Sequence, residues 1–435
     1  MKVLIITAAF PPMRAGEADQ ALHLSRRLAD RGFDVHVLTT RGCVALPDFP
    51  FKVYPIMRDW SWKDLGRLAR FLRSCNPDAV LLMYIGWIYH SHPMVTFAAT
   101  LSKRLLPRAV FVTQFANVTG AVMQQNNVVS RLFAQGMQLW ASPKGVNQEY
   151  GTLLRDSDKV ILLSEHHRTE LSRNYPSLDG KSVLIPPPPI MAIPSGDQID
   201  ARRRGRESLG IKSDEFLLAY LGYIYPGKGI ATLLKAFRIV SRRRAETKLI
   251  LVGGVIARKD LDHPAYSEHL LDLAKQLKIE DRITWTGGYS WESSDASLYL
   301  RAADAFILPS DVGVQLNNSS FAAAAAHGLP IIATRGCILE DSFVHRENVL
   351  LCPPKNPELM ANAIEALMDE PGLREQLRVG SLRLAEEWFS WEKAIDRTME
   401  TLTGNGRFPR DREAKDAALA EEFDRMSAKH SRSYL

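Results

Sequence analysis

The sequence has few cysteines, and the four present are too far apart to form a metal-binding or redox motif. Cys43, Cys75, Cys337 and Cys352 are scattered over 435 residues, with no CxxC pair and no cysteine–histidine spacing typical of zinc ligands. Such isolated cysteines are typical of reduced thiols in the cytoplasm. The pattern therefore predicts no metal centre and a cytoplasmic location.

The sequence also lacks a hydrophobic run long enough to cross a membrane. A spanning helix needs about 18 or more uninterrupted apolar residues, and the nearest candidate, residues 79–101, is interrupted by HSHP at 90–93. The apolar start, residues 3–8, has about the length of a strand and is soon followed by two prolines at 11–12. We interpret it as the first buried strand rather than a signal peptide.

Positive charge is in slight excess and is concentrated in short arginine runs. The formal net charge is +6, and the runs lie at residues 202–206 and 242–244. Such runs are usually solvated faces, but they leave open a peripheral contact with an anionic membrane surface, at its inner face, or with an anionic acceptor. No aromatic-interleaved basic motif or helix-turn-helix pattern accompanies them, so nucleic acid is not an expected partner.

Buried strands alternate with amphipathic helices through most of the chain. This alternation predicts an α/β protein with parallel sheets covered by helices on both faces. A chain of this length exceeds one comfortable hydrophobic core, so we expect two doubly wound domains. The strands are predicted at residues 3–8, 35–38, 79–82, 109–112 and 159–163, and then at 216–221, 248–252, 283–285, 305–308, 331–333 and 349–351.

A proline-rich connector separates the two series of strands. We predict a first domain over residues 1–190, a Pro/Arg-rich hinge over 191–206 and a second domain over 207–385. A helix over 386–403 is expected to pack back on the first domain, and a mobile charged tail to follow over 404–435. Two such domains place a cleft between the carboxyl ends of their sheets, where doubly wound sheets bind ligands.

The segment from residue 308 to 334 has the composition of an anion-binding turn. A strand is followed by a turn at Gly313 and then by Asn317, Asn318, Ser319 and Ser320, which lead into a helix of consecutive alanines ending at Gly328. Polar side chains and free N–H groups at a helix N-terminus attract anions. We expect a phosphate site here; the alternative is a tightly packed helix–strand crossing without a ligand.

An aromatic segment follows another predicted strand, at residues 83–92 (MYIGWIYHSH). Its side chains suit stacking against a sugar, although an ordinary aromatic packing cluster fits equally well. His90 and His92 are either surface residues or proton acceptors at the cleft.

Nine short motifs occur in a recognisable order along residues 1–400. They are FPP at 10–12 with Gly16, SE at 164–165, Gly222 with KG at 228–229, LVGG at 251–254, WTG at 285–287, AADA at 302–305, LPS at 308–310, HGLP at 327–330 and FSWE at 389–392. This order resembles the retaining, nucleotide-sugar-dependent glycosyltransferases of the family-four type. The resemblance implies the GT-B fold, with two Rossmann-like domains facing a cleft, the first binding the acceptor and the second the nucleotide sugar.

The chain departs from this family pattern at four polar positions. The family usually carries two glutamates eight positions apart, and the corresponding residues here are Gln315 and Ala323. The arginine of the family's basic pair is replaced by Tyr223, whereas its lysine is retained as Lys228. A histidine common in the first domain corresponds to Gln114.

Carried over residue by residue, the resemblance implies a set of site residues. Catalytic roles fall to Lys228, Gln114, Gln315 and Asp311, the last as the nearest carboxylate that could compensate, with a turn-capping role as the alternative. No metal or cofactor is expected, because the nucleotide sugar is a co-substrate. Donor-binding roles fall to Gly16, Glu165, Gly222, Tyr223, Gly229, Gly254, Gly287, Gly313, Val314, Asn317, Asn318, Ser319 and Ser320.

The implied activity is transfer of a sugar from a UDP- or GDP-linked donor to an acceptor hydroxyl, with retention, in glycan or glycoconjugate biosynthesis. The acceptor would be a sugar, a lipid-linked glycan or a small molecule. The lost carboxylates favour an alternative, a catalytically inactive nucleotide-sugar-binding or regulatory protein of the same shape. A third reading, epimerisation of a sugar nucleotide, has no dedicated acid–base pair in the sequence.

Overall fold

The protein consists of two parallel β-sheets, each covered by helices. The computed structural model describes residues 1–44, 48–118, 150–178, 180–194, 196–254, 263–289 and 293–404. The predicted α/β class with two doubly wound sheets is confirmed. Of the predicted tail, all but residue 404 lies outside the described residues.

The first sheet is built around buried, apolar strands of the N-terminal half. Within the described residues it has seven strands in the order β3-β2-β1-β4-β5-β6-β7, all parallel. Ile5 pairs with Val37 and Leu81 on the neighbouring strands, and all three are fully buried. The strands are β1 (Lys2–Ile6), β2 (Asp34–Thr40), β3 (Lys52–Met57), β4 (Ala79–Tyr84), β5 (Val110–Phe115), β6 (Lys159–Leu162) and β7 (Ser182–Leu184).

The second sheet repeats this arrangement with six strands in the described part of the chain. Their order is β10-β9-β8-β11-β12-β13, again all parallel. In each sheet the strand order reverses beside the first strand, so each sheet has a switch point where a crevice opens at the carboxyl ends. The strands are β8 (Phe216–Leu221), β9 (Thr247–Val252), β10 (Ile283–Gly287), β11 (Ala305–Leu308), β12 (Ile331–Thr334) and β13 (Leu350–Cys352).

Helices cover both faces of both sheets and bury their apolar sides there, which produces two hydrophobic clusters for each sheet. The α-helices in the described residues are α1 (Gly16–Asp30), α2 (Leu65–Cys75), α3 (Ala98–Leu105), α4 (Leu153–Asp156), α5 (Glu165–Asn174), α6 (Gln198–Ser208), α7 (Ile230–Arg243), α8 (His263–Gln276), α9 (Asp295–Ala302), α10 (Ser319–Ala326), α11 (Pro357–Asp369), α12 (Pro371–Trp388) and α13 (Trp391–Thr403). No helix in these residues is long and apolar enough to cross a membrane.

Three elements differ from the sequence expectations. The edge strands β3 and β7 were not predicted, because both are only partly buried and so lack a strong apolar signal. The arginine-rich half of the predicted hinge is the helix α6, whose N-cap Asp197 accepts a hydrogen bond from the Ile199 N–H at 2.8 Å. This helix packs on α9 rather than forming an extended linker.

Both arginine runs form ion pairs within the second half of the chain. Arg202 and Arg206 of α6 contact the two carboxylate oxygens of Asp304 at 2.5 and 3.2 Å. In the second run, Arg243 and Arg244 pair with carboxylates of α11, at 3.1 and 2.6 Å. These pairs account for much of the basic character on which the expectation of membrane contact was based.

The last helix of the described residues, α13, returns to the first sheet. Its apolar residues join the cluster that covers β1, β2 and β4. The Trp391 indole N–H donates to the Pro189 carbonyl at 2.8 Å, and Arg31, directly after α1, pairs with Asp396 at 2.8 Å. The chain therefore crosses back over the boundary between the two sheets before it ends.

Candidate functional site

A cavity of about 530 Å³ lies between the two halves, where the switch points of both sheets face each other. Loops after β1 and β4 form one wall, and loops after β8, β9 and β10 together with the start of α10 form the other. The described residues that line it are Arg14, Gly16, Glu17, Asp19, Ile85, Gly86, Trp87, Ser91, Asn117, Ile190, Met191, Leu221, Gly222, Tyr223, Tyr225, Lys228, Gly253, Gly254, Gly288, Tyr289, Ser293, Ser319, Ser320 and Ala323.

Glycines allow the backbone of the second half to pack closely at this edge. Gly222 has a φ of +139°, and a Cβ atom there would lie 3.1 Å from the Ser320 hydroxyl. Gly229 has a φ of +72°, and a Cβ atom there would lie 1.7 Å from the Pro309 carbonyl oxygen. The glycines thus bring the loops after β8 and β11 together. Gly229 itself lies behind the lining, directly before α7.

Two helices begin at the cavity, α1 on the wall of the first half and α10 on the wall of the second half, and Lys228 of the second wall lies just before a third helix, α7. Gly16 is the first residue of α1, Lys228 precedes the N-cap of α7, and Ser319 and Ser320 are the first residues of α10. The first N–H groups of a helix have no partner within the helix, and the helix dipole places positive charge there. The Lys228 ammonium, 4.9 Å from the centre of the Tyr225 ring, adds a full positive charge. This wall is therefore suited to a diphosphate group.

The opposite wall carries charges that the sequence analysis missed. Arg14, Glu17 and Asp19 line the cavity from the loop after β1 and the first turn of α1. The pKa of Asp19 is raised to about 7, first by burial and then by the neighbouring Glu17, while Tyr223 lowers it by hydrogen bonding. The segment offered no motif that would single these residues out, because their proximity to Tyr223 depends on the packing of the two halves.

The aromatic segment after β4 divides between core and cavity. Trp87 lines the cavity, whereas the buried Tyr89 donates its hydroxyl to the Met83 carbonyl at 2.8 Å. His92 is a structural cap: its Nδ1 accepts from the Met94 N–H at 3.1 Å. His90 is exposed and does not line the cavity. Of this segment, Trp87 is therefore the large aromatic side chain available to a ligand.

Within the predicted anion-binding segment, the turn at residues 311–318 forms hydrogen bonds to neighbouring protein groups. The Gly313 and Val314 N–H groups donate to the carbonyls of Ser310 and Thr334, at 3.2 and 2.8 Å, so they are not free for a phosphate. The Asn318 side chain accepts from the Gln315 N–H at 2.8 Å instead of capping α10. These two N–H groups are therefore not available to an anion, whereas Ser319 and Ser320, farther along the segment where an anion site was expected, line the cavity.

Several other predicted residues do not line the cavity. Gln114 is buried within β5, and its side-chain NH2 group has no partner among the described residues. Glu165 pairs with Arg168 at 3.3 Å on α5. The remaining ones that do not line it are Asp311, Gln315, Asn317, Asn318, Gly229, Gly287, Gly313 and Val314, whereas Gly16, Gly222, Tyr223, Lys228, Gly254, Ser319 and Ser320 do.

A buried carboxylate that the sequence analysis missed joins the two halves. Glu340, 4% exposed, accepts from the His166 N–H at 3.1 Å and from the Leu316 N–H at 2.5 Å. His166 lies in the first turn of α5, where a carboxylate is favoured by the helix dipole. Burial raises the pKa of Glu340, and these backbone hydrogen bonds oppose that rise. Glu340 thereby fixes the loop before α10 against the first sheet's side of the cleft.

Comparison with known families identifies the chain. A model described as "Glycosyltransferase Family 4" matches residues 16–188, and one described as "Glycosyl transferases group 1" matches residues 201–380. The chain belongs to the family-four-type GT-B glycosyltransferases. The first match covers six of the seven described strands of the first sheet, all but β1, and the second covers the six described strands of the second sheet.

Individual relatives share part of this glycosyltransferase sequence. It is 30% identical to a D-inositol 3-phosphate glycosyltransferase of Thermomonospora curvata over 48% of this chain and 46% of that protein. It is 27% identical to the lipopolysaccharide 1,2-N-acetylglucosaminetransferase of Salmonella typhimurium over 57% of this chain and 68% of that one. The chain thus spans about half to two thirds of the length of these curated relatives.

Solved structures confirm the GT-B architecture of this glycosyltransferase. The structure of HepE from Anabaena, in complex with UDP and glucose, superposes with a TM-score of 0.67, covering 93% of this chain and 99% of that one. The sequence identity is 15%. At that identity the likeness establishes the fold.

Proposed function

We propose that this glycosyltransferase moves a sugar from a UDP- or GDP-linked donor to an acceptor hydroxyl, with retention of configuration and without a metal ion. The observation that carries the proposal is that Lys228 and the start of α10 lie on one wall of the interdomain cavity and the start of α1 lies on the other. A departing nucleoside diphosphate develops negative charge, and a positively polarised wall stabilises it. HepE has the same fold and was solved with UDP and glucose, which supports a uridine nucleotide in the proposal for this chain.

The second half of the chain would hold the nucleotide. Ser319 and Ser320 bring hydroxyl groups to the N-terminus of α10, and Gly222 lets that helix start close to the loop after β8. Hydrogen bonds from these groups and from free backbone N–H groups are the usual means of holding a phosphate at a helix start. Lys228 supplies the positive side chain at this wall.

The first half of the chain would hold the acceptor. Trp87 offers an aromatic face, and Ile85, Ile190 and Met191 extend the apolar surface around it. Sugars and apolar acceptors both pack against such surfaces. The relatives act on a phosphorylated inositol and on lipopolysaccharide, as their names state, so small-molecule and lipid-linked glycan acceptors are both included in the proposal.

The proposal is tested by calorimetric titration with UDP, GDP, dTDP and ADP. Lys228→Ala should weaken binding of the preferred nucleotide by about ten- to a hundredfold, the value of one charge-assisted hydrogen bond. Lys235→Ala, on the exposed side of α7, is the matched control and should bind as the wild type does. Absence of saturable binding by any nucleotide would refute the proposal.

A second measurement separates transfer from binding alone. Nucleoside diphosphate release from the donor should depend on acceptor and should persist in a chelator such as EDTA. Binding without acceptor-dependent release would favour the alternative of a non-catalytic nucleotide-sugar-binding protein, which the residues Gln315, Ala323 and Tyr223 suggest.

A further inference from the structure

The charged residues of the cavity come mostly from the first half of the chain. Among the described lining residues, Arg14, Glu17, Asp19 and Lys228 are charged, and only Lys228 belongs to the second half. At Ala323, where a family carboxylate would stand, the cavity wall is apolar. Gln315, at the other such position, does not line the cavity. Carboxylates therefore reach this cavity from α1 instead of α10.

Asp19 is the carboxylate most enclosed by the opposite half. Both Tyr223, after β8, and Tyr289, after β10, lie close enough to interact electrostatically with it. Arg14 extends across the same gap, because a Cβ atom on Gly288 would lie 3.6 Å from its guanidinium. The α1 start is thus inserted between loops of the second half, and Asp19 is positioned at the interface that a donor would occupy.

The local environment of Asp19 is costly for an ionised carboxylate. Burial and the nearby Glu17 raise its pKa to about 7, and hydrogen bonding from Tyr223 is the one opposing influence. Carboxylates held in such unfavourable surroundings inside a cleft are typical of functional sites. The apolar residues of α1 pack on β1 and β2, whereas Asp19 lines the cavity.

We propose that Asp19 is the hydroxyl-binding carboxylate of the donor site, accepting hydrogen bonds from the bound nucleotide sugar while Tyr223 orients it. This inference rests on the proposed function. The ligand chemistry is a pair of neighbouring hydroxyl groups, which both the ribose and the transferred sugar present. A carboxylate accepts two such hydrogen bonds at once, which an alanine at position 323 cannot do.

The test compares wild type, Asp19→Asn and Asp30→Asn by calorimetry with UDP, 2′-deoxy-UDP and UDP-glucose, or with the guanosine counterparts if GDP is preferred. Asp30 is the last residue of α1 and does not line the cavity, so it provides the same substitution on the same helix. Asp19→Asn should weaken UDP-glucose binding about ten- to a hundredfold at pH 8. Asp30→Asn should leave it unchanged.

The nucleotides distinguish the two sources of hydroxyl groups. If Asp19 contacts the ribose, UDP and UDP-glucose weaken together, and 2′-deoxy-UDP, which lacks one of the two hydroxyl groups, is less sensitive to the substitution. If it contacts the transferred sugar, UDP-glucose alone weakens. In both cases the effect should be smaller at pH 6, where Asp19 is protonated, than at pH 8, and a purely structural role would not produce that difference.

Two results would overturn the inference in distinguishable ways. If wild type binds a nucleotide sugar and Asp19→Asn binds it equally well at pH 8, the inference fails while the proposed function stands. If wild type binds no nucleotide or nucleotide sugar, the proposed function fails and the inference with it. An unfolding temperature of Asp19→Asn at or above that of wild type shows that any loss of binding is not a loss of folding.

Discussion

Replacing Asp19 by asparagine should stabilise the protein, and the gain should grow with pH. Folding moves this carboxyl from water to a partly buried position beside Glu17, which raises its pKa from 3.8 to about 7. Between these two values the folded state holds a proton that the unfolded state has released. Stability of the wild type therefore falls as pH rises through this range, and asparagine removes that loss.

The size of the effect follows from the pKa. At about 1.4 kcal/mol per pKa unit, a rise from 3.8 to about 7 lowers the free energy of unfolding by at most about 4 kcal/mol at alkaline pH. About 2.5 kcal/mol of this decrease would occur between pH 5 and pH 8. Solvent reaches part of the carboxyl group and screens it, so we expect about 1–2 kcal/mol over that interval.

The measurement is urea unfolding of wild type, Asp19→Asn and Asp30→Asn at several pH values from 5 to 8, followed by tryptophan fluorescence. The informative quantity is the change with pH in the stability difference between variant and wild type, because the lost hydrogen bond to Tyr223 contributes a term independent of pH. Asp30→Asn, on the same helix but outside the cavity lining, controls for the substitution itself. A stability difference for Asp19→Asn that is the same at pH 5 and pH 8 would refute the burial argument.

Three further substitutions test the packing around the site. Glu340→Ala should lower the free energy of unfolding, measured by urea titration, by about 2–4 kcal/mol, because it leaves the buried Leu316 N–H without an acceptor. Glu340→Gln should lower it less, because the amide oxygen can still accept that hydrogen bond. Gly229→Ala should cost about 3 kcal/mol or more in thermal unfolding, since the new Cβ would meet the Pro309 carbonyl and φ is positive; an unchanged melting temperature would contradict that geometry. Asp304→Ala should destabilise by about 2–4 kcal/mol, because it removes the carboxylate that pairs with two arginines and leaves the Leu217 N–H without its side-chain acceptor; circular dichroism melting measures this, and a neutral result would mean that solvent replaces the carboxylate.

Local patterns in the sequence were enough to predict the sheets. The central strands, such as β1 and β8, are continuous apolar runs ended by turn residues, and burial on both faces requires such runs. The same property explains why β3 and β7 were missed, since edge strands need only partial burial. Gly222 and Gly229, which belong to one of the sequence motifs, both have positive φ values, and such values favour glycine.

The connector shows where composition misleads. Prolines and arginines at 186–206 suggested a stiff linker, yet residues 198–208 are helical. The acceptor for two of these arginines is Asp304, about a hundred positions along the chain. A distant partner of this kind leaves no signal in the local sequence, so the helix could be recognised only in the folded protein.

The sequence by itself determined the α/β class, the two sheets, the family resemblance and the lysine beside the α7 start, because each depends on periodicity or on a short motif. Only the tertiary structure decided which polar groups share the cavity. Gly313 and Val314 lie in the predicted turn, but their N–H groups donate to neighbouring carbonyls. Asp19, which no motif singles out, accepts a hydrogen bond from Tyr223 across the cleft. The physical reason is that the site is formed by loops from two sheets, and their relative placement is set by contacts between residues far apart in sequence, such as Glu340 with the start of α5.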